Sequence, residues 1–325
     1  MMVIQGIVKR DFLVIGRVGM DMFTQPGAGI VGTTQMMTAM GGSSANIAAG
    51  LVKLGCKAAL VTCVSDDAVG AYCLDQLDQY GINRNHVRVV RGQCRTSLAV
   101  YETRLQDHHT VIYRNDAADF QMDDSDIAPI DFTRFGAVIT TGTVFAAEPS
   151  RSAAFTALQR ARKAGVPVIF DVDYRPYSWP SAQIAQEVLS QAADLSDIIV
   201  GNNEEFGFMA GHIDQGMAKA QSLAKAHAAI VVYKKGPDGS ITFQGDKSID
   251  TGIYPVDALK PTGAGDSFMA GFLSSLGAGS DLQRAIRRGS ACASITVSRP
   301  GCAPAMPTPD ELDEFMAAHT PATAL

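Results

Sequence analysis

No stretch of the 325-residue sequence is apolar for long enough to span a bilayer, and Met1 to Phe12 carries basic residues with no signal-type apolar core behind them. None of the six cysteines (Cys56, Cys63, Cys73, Cys94, Cys292, Cys302) belongs to a Cys-x-x-Cys pair, and three lie inside apolar patterns where a thiol acts as a small hydrophobe. Both absences argue against a disulfide scaffold and for a soluble, cytoplasmic protein with reduced thiols. Positive charge is also short: 27 Lys and Arg against 33 Asp and Glu leave a net charge of −6. Neither nucleic acid nor an anionic membrane is drawn to such a molecule as a whole, so an anionic ligand must be held locally by Arg, Lys or a metal. Repeats, low-complexity tracts and long linkers are missing too, and 46% apolar content over this length suits one large α/β domain.

What is present is organised around Lys260-Pro-Thr-Gly-Ala-Gly-Asp-Ser-Phe-Met-Ala-Gly-Phe-Leu273. Gly263-Ala264-Gly265 reads as a turn feeding a helix that begins near Asp266. A helix start offers free N–H groups and the positive end of the dipole, and glycines let an anion approach that backbone. A carboxylate in the same turn would repel a resting anion, but it can accept a proton from an attacking hydroxyl. Cradle plus base reads as phosphoryl transfer; the alternative is that Thr262 and Asp266 cap a helix and the glycines only turn the chain.

Earlier in the chain, Phe12 to Gly16 reads as a buried strand and Arg17 to Met40 as an irregular excursion rich in Gly, Thr and Met, with Asp21 as a loop carboxylate or a ligand contact. Gly41-Gly42 opens a second helix, capped by Ser43 or Ser44 and stopped at Gly55. Asn46 in its first turn is either a satisfied core amide or a contact for a polyhydroxylated ligand. Thr96 to Thr103 and Thr110 to Arg114 alternate as a hairpin around the polar tip Gln106 to His109. Tyr101 and Arg114 project from it, the arginine being either a surface residue or a bidentate clamp for a carboxylate. From residue 137 the pattern becomes regular βα alternation, which predicts a mostly parallel sheet with ligands at the carboxyl ends of its strands. Two of those ends are Asp171-Val-Asp-Tyr-Arg175 and Gly201-Asn-Asn-Glu-Glu205. Their oxygens suit Mg²⁺ and its waters, or a helix cap with acidic first-turn residues. Thr308-Pro-Asp-Glu311 is a capping box that starts the last helix.

Gly41-Gly42-x-x-x-Asn46 and Gly263-Ala-Gly-Asp266, in that order and separation, resemble the two signatures of the ribokinase-like (PfkB) sugar kinases, over roughly residues 12 to 318. The resemblance implies one kinase domain spanning residues 1–325, a three-layer α/β/α sandwich whose β lid is formed by segments 17–40 and 96–114. It implies Asp266 as catalytic base, Gly263, Ala264 and Gly265 as anion hole, and Asp21, Gly41, Gly42 and Asn46 around the sugar hydroxyls. Glu205, paired with Asn202, is expected to organise Mg²⁺ through water, and Asn202, Gly236, Lys260 and Cys292 are assigned to the nucleotide side. No GxxxxGK[ST] loop occurs, so ATP would lie in a shallow groove.

Further stretches, among them Gly16 to Asp21, Asp171 to Trp179 and Ser298 to Pro307, resemble the branch that moves the γ-phosphate of ATP to the 6-hydroxyl of a keto-deoxy sugar acid in inositol breakdown. Tyr101, Arg114 and Arg175 are then substrate-side residues, with Arg17 as a further candidate for the carboxylate. Kinases of 2-keto-3-deoxygluconate or fructose, and an inactive sugar-binding relative, are the alternatives. Lys260 stands where most of the family has an Asp that ligates a monovalent cation. Either its ammonium replaces that cation, so that K⁺ is not required, or it is a solvated lysine. Lid sheets in this family often pair between subunits, so the resemblance is compatible with a homodimer through the lid, which no feature of the sequence establishes.

Overall fold

The structure, a computed structural model, describes residues 2–322, with side chains from Gln5 onward. Thirteen strands follow in chain order among these residues: β1 (Asp11–Ile15), β2 (Gly19–Phe23), β3 (Met37–Gly41), β4 (Lys57–Ser65), β5 (Asn83–Val90), β6 (Ser97–Tyr101), β7 (Thr110–Tyr113), β8 (Ala137–Thr141), β9 (Val168–Asp171), β10 (Ile198–Asn202), β11 (Ile230–Lys234), β12 (Ser240–Gln244) and β13 (Lys247–Thr251). Nine form one sheet in the order β13-β12-β11-β10-β9-β8-β1-β4-β5. Its antiparallel pairings are β11 with β12 and β12 with β13, so β12 alone runs against the other strands. The other four form a small sheet in the order β3-β2-β6-β7, closed by the parallel pairing of β2 with β6.

Strands β8 and β9 are buried along their whole length, the condition of strands covered by helices on both faces. Alternation then sends Leu13 and Ile15 into one apolar layer with Val138, Phe170 and Ile199, and Phe12 and Val14 into the other with Ile139, Ile169 and Val200. The result is a three-layer α/β/α sandwich. Because β1 lies between β4 and β8, strand order reverses there, and a crevice opens at the carboxyl ends.

Several elements differ from expectation. The irregular segment 17–40 contains two strands, so Asp21 is a strand residue. Edge strand β5 escaped notice because Asn-Arg-Asn-His-Val-Arg has no apolar alternation, as befits an edge that must not pair further. The helix Ser43–Lys53 is not capped by a serine: its N-cap is Gly42, at φ 95. Ser43 instead donates to Asp173 Oδ2 at 2.7 Å, and Ser44 lies beside Thr141. The capping box at Thr308 and Glu311 forms as read.

Candidate active site

Asp266 and the glycine turn expected to serve as base and cradle belong to one helix start. Gly263 has a left-handed φ of 85 and begins the helix Ala264–Gly277 without any side-chain cap. A Cβ there would stand 3.1 Å from Cys302 Sγ and in strained backbone, so glycine is required. Neither Thr262 nor Asp266 caps this helix, and the capping alternative falls. Asp266 is instead held from another element: Asn46 Nδ2 donates to its Oδ2 at 3.0 Å across 220 residues of sequence. Burial, reinforced by Asp173, pushes the Asp266 carboxyl up to about 6, against the pull of Asn46, Arg175 and Lys234. A carboxylate near neutrality is well matched to general-base work.

A cup of unpaired polar atoms lies next to it. Asp21 is 1% exposed, and its Oδ1 has no hydrogen-bond partner; burial lifts this carboxyl to about 7. Gly41 makes the position possible, since a Cβ there would overlap the Asp21 carboxylate. Asn46 Oδ1 is likewise buried without a partner. Each such atom costs about 1–3 kcal/mol unless a ligand satisfies it.

Three arginines border the cup. Arg17 is buried, donates to Ser97 Oγ at 3.0 Å, and has Tyr101, Asp21, Asp119 and Asp173 in its electrostatic neighbourhood. Arg114 is not a surface residue. It is buried just past β7, paired with Asp119 at 2.5 Å and stacked over Phe120, while its Nη1 has no partner. Arg175 is half-exposed and paired with Asp173 at 2.8 Å. All three act on Tyr177, which with Arg114, Phe120 and Trp179 lines a cavity of about 390 Å³. Tyr101 stacks on Phe23 at 5.0 Å and forms the apolar floor of the small sheet beside Arg17.

On the far side of the cradle, Asn202 and Glu205 form a reciprocal capping box: Glu205 N donates to Asn202 Oδ1, and Asn202 N to Glu205 Oε2, both at 2.8 Å. Glu205 is buried 3.9 Å from Arg175. Asp171, at the end of β9, is lifted to about 8 by burial, with Glu205, Asp173 and Asp266 adding and Lys234 opposing. Gly236 opens the exposed turn after β11 at φ 60.

Two expectations need correction. Cys292 is wholly buried between two helices, its Sγ 2.6 Å from where a Cβ on Gly271 would stand, so its side chain packs the core and is not exposed to the nucleotide side. Lys260 is not solvated: it is 1% exposed, and its ammonium donates to the carbonyls of Thr262 at 2.6 Å and Thr296 at 3.3 Å. One residue was missed. Lys234 ends β11 in register with Asn202, and its Nζ lies 3.3 Å from the point a Cβ on Gly265 would occupy. A basic residue at the carboxyl end of a parallel strand was the available signal.

A glycine turn opening a helix, the buried Asp266 carboxylate over it and a cup of unpaired polar atoms beneath a small sheet fit a phosphotransferase for small polyhydroxylated acceptors. The chain belongs to the PfkB carbohydrate kinases: the sequence profile described as "pfkB family carbohydrate kinase" matches residues 10–309. It is 36% identical over 316 residues to the 5-dehydro-2-deoxygluconokinase of Photobacterium profundum, covering 94% of each chain. It is 37% identical over 313 residues to that of Geobacillus thermodenitrificans, covering 94% of this chain and 93% of the relative. Among solved structures, fructokinase from Vibrio cholerae O395 in its fructose, ADP and potassium ion bound form superposes with a TM-score of 0.85 at 22% identity, over 94% of this chain and 98% of that one. Fructokinase from Xylella fastidiosa with bound ATP gives 0.84 at 20% identity, over 95% and 99%. At those identities the likeness concerns the ribokinase-like fold.

Proposed function

We propose that the protein phosphorylates 5-dehydro-2-deoxy-D-gluconate at its 6-hydroxyl with ATP. The observation that carries the acid specificity is the guanidinium group at the cup. Arg17 has no acidic partner within ion-pair distance among the described residues, and Arg114 keeps one buried donor free. A neutral sugar would leave the Arg17 charge without an acidic partner, whereas a carboxylate satisfies both it and the free Arg114 donor. Arg17 and the Nη1 of Arg114 hold that carboxylate, and Asp21 and Asn46 take the sugar hydroxyls.

Asp266 then receives the proton of the 6-hydroxyl, whose oxygen bonds to the γ-phosphorus as the bond to the bridging oxygen breaks and ADP leaves. The Gly263 to Gly265 amides face the transferred group. Asn46 fixes one oxygen of Asp266, leaving the other for the proton. Mg²⁺ is a hard cation that neutralises phosphate charge when bound, and the buried Glu205 carboxylate would hold it through its water shell. Lys260 straps the anion-hole loop to the last turn of the helix Leu282–Val297. Its internal ammonium takes the place of an activating monovalent cation, so turnover is expected to be insensitive to K⁺. A steep rise on adding K⁺ to a K⁺-free assay would show otherwise.

The test of the whole reading is a coupled ADP-release assay over 5-dehydro-2-deoxygluconate, 2-keto-3-deoxygluconate, fructose and ribose. The highest kcat/KM is expected for the first. Fructose turned over as well as either acid would overturn the acid specificity, and no turnover on any of the four would overturn the kinase assignment.

A further inference from the structure

The geometry points to Lys234 as a catalytic residue whose ammonium contacts the phosphoryl group in transit between nucleotide and acceptor. This rests on the kinase reading above. Strand β11 ends at Lys234 beside Asn202 of β10, and the side chain reaches over the first turn of the helix Ala264–Gly277, within 3.3 Å of the Cβ position of Gly265. Any side chain at Gly265 would take up that space, so the glycine keeps the gap between ammonium and cradle open.

The surroundings say what the gap holds. Asp171, Glu205 and Asp266 all feel the charge of Lys234, yet among the described residues it makes no ion pair within 4.0 Å and donates no hydrogen bond. A lysine serving only to neutralise buried acids would sit against one of them, because desolvated charges gain from contact. The other cations nearby are committed: Arg175 to Asp173, and Lys260 to two carbonyls. Lys234 is thus, among the described residues, a cation facing the anion hole with no partner of its own. During transfer, charge spreads over the three equatorial oxygens and the leaving oxygen of the phosphoryl group, and a preplaced ammonium there stabilises it without any proton changing hands on the lysine.

The experiment compares Lys234→Met, Lys234→Arg and Lys234→Met/Asp171→Asn with the wild type, using 5-dehydro-2-deoxygluconate and ATP. Lys234→Met is expected to lower kcat by about 10²–10³-fold with the sugar KM unchanged, and Lys234→Arg to recover part of it. Calorimetric titration should show Lys234→Met losing affinity for ATP while affinity for ADP stays, since only ATP carries the contacted phosphate. Three results would overturn the inference: kcat within about 3-fold of wild type, which amounts to under about 1 kcal/mol; equal losses for ATP and ADP; or recovery of kcat in the double variant, which would make Lys234 a mere neutraliser of Asp171. A wild type inactive on every sugar would sink the kinase reading and this role with it, whereas an active wild type with an unaffected Lys234→Met variant would sink this role alone.

Discussion

The two sheets use burial in opposite ways. In the large sheet, β8 and β9 are buried throughout, and the polar groups that matter stand at or beyond the carboxyl ends: Asp171, Asp173, Asn202, Lys234. In the small sheet, polar side chains are buried within and beside the strands, Asp21 on β2, Ser97 on β6, and Arg17 and Arg114 flanking them. Its apolar cluster is only Phe23, Ala39, Ala99, Tyr101 and Cys302, with Ile112 against it. The large sheet gains stability from apolar contact and presents on its edge the residues to which the proposed function gives phosphate chemistry. The small sheet leaves Asp21 Oδ1 and Arg114 Nη1 unpartnered, a cost that a sugar acid would relieve. Under the proposed function, specificity resides in the sheet with the smaller apolar cluster and chemistry in the sheet with the larger one.

The largest effect that would sharpen this contrast is at Asp266. Asp266→Asn is expected to lower kcat by about 10³-fold or more while calorimetric Kd values for sugar acid and ATP hold; near wild-type turnover would mean the base is elsewhere. The matching cut on the small sheet is Arg17→Gln. It should raise the KM for the sugar acid by about 10–100-fold, the equivalent of one charge-assisted hydrogen bond, with a smaller change in kcat. Equal effects on kcat and KM would break the division of labour.

Titration comes next. Because burial places the Asp266 carboxyl at about 6, the base is ionised above that pH and protonated below it. The pH profile of kcat/KM should fall about tenfold per unit below pH 6, and a flat profile down to pH 5 would contradict the assignment. The smallest effect concerns stability. Asp171 has a folded pKa of about 8 against an ordinary 3.8, so it takes up a proton on folding. The stability it contributes is full below about 3.8 and is lost as pH rises through about 8. Asp171→Asn escapes this loss, so its melting temperature should exceed that of wild type by an amount that grows from pH 4 to pH 8 and then levels, reaching roughly 2–5 °C. A lower melting temperature at pH 8 would show that the carboxylate is satisfied in the fold.

Legibility in the sequence followed the same division. The large sheet was readable because strands such as Val168–Asp171 are continuous apolar runs separated by helical periodicity and stopped by glycines such as Gly165. Segment 17–40 was not, because Gly-Met-Asp-Met-Phe owes its strand state to pairing with β3 and β6, contacts that no local pattern encodes. Asn202 and Glu205 were legible as a cap or as metal-side groups, and the structure realises the cap. Lys234 was harder to read because the apolar run ends at Tyr233, which leaves the lysine looking like part of the turn that follows although β11 extends through it.

By itself the sequence determined the layered α/β class, the glycine turn with its aspartate and the shortage of general positive charge, since these depend on periodicity, composition and residues adjacent in the chain. Tertiary structure decided which groups meet. It brought Asn46 onto Asp266, buried Lys260 against two carbonyls, withdrew Cys292 into the core and left Arg17, Arg114 and Lys234 with donors free. Those outcomes depend on desolvation and on partners hundreds of residues apart, and they exist only once the sheets have closed over the site.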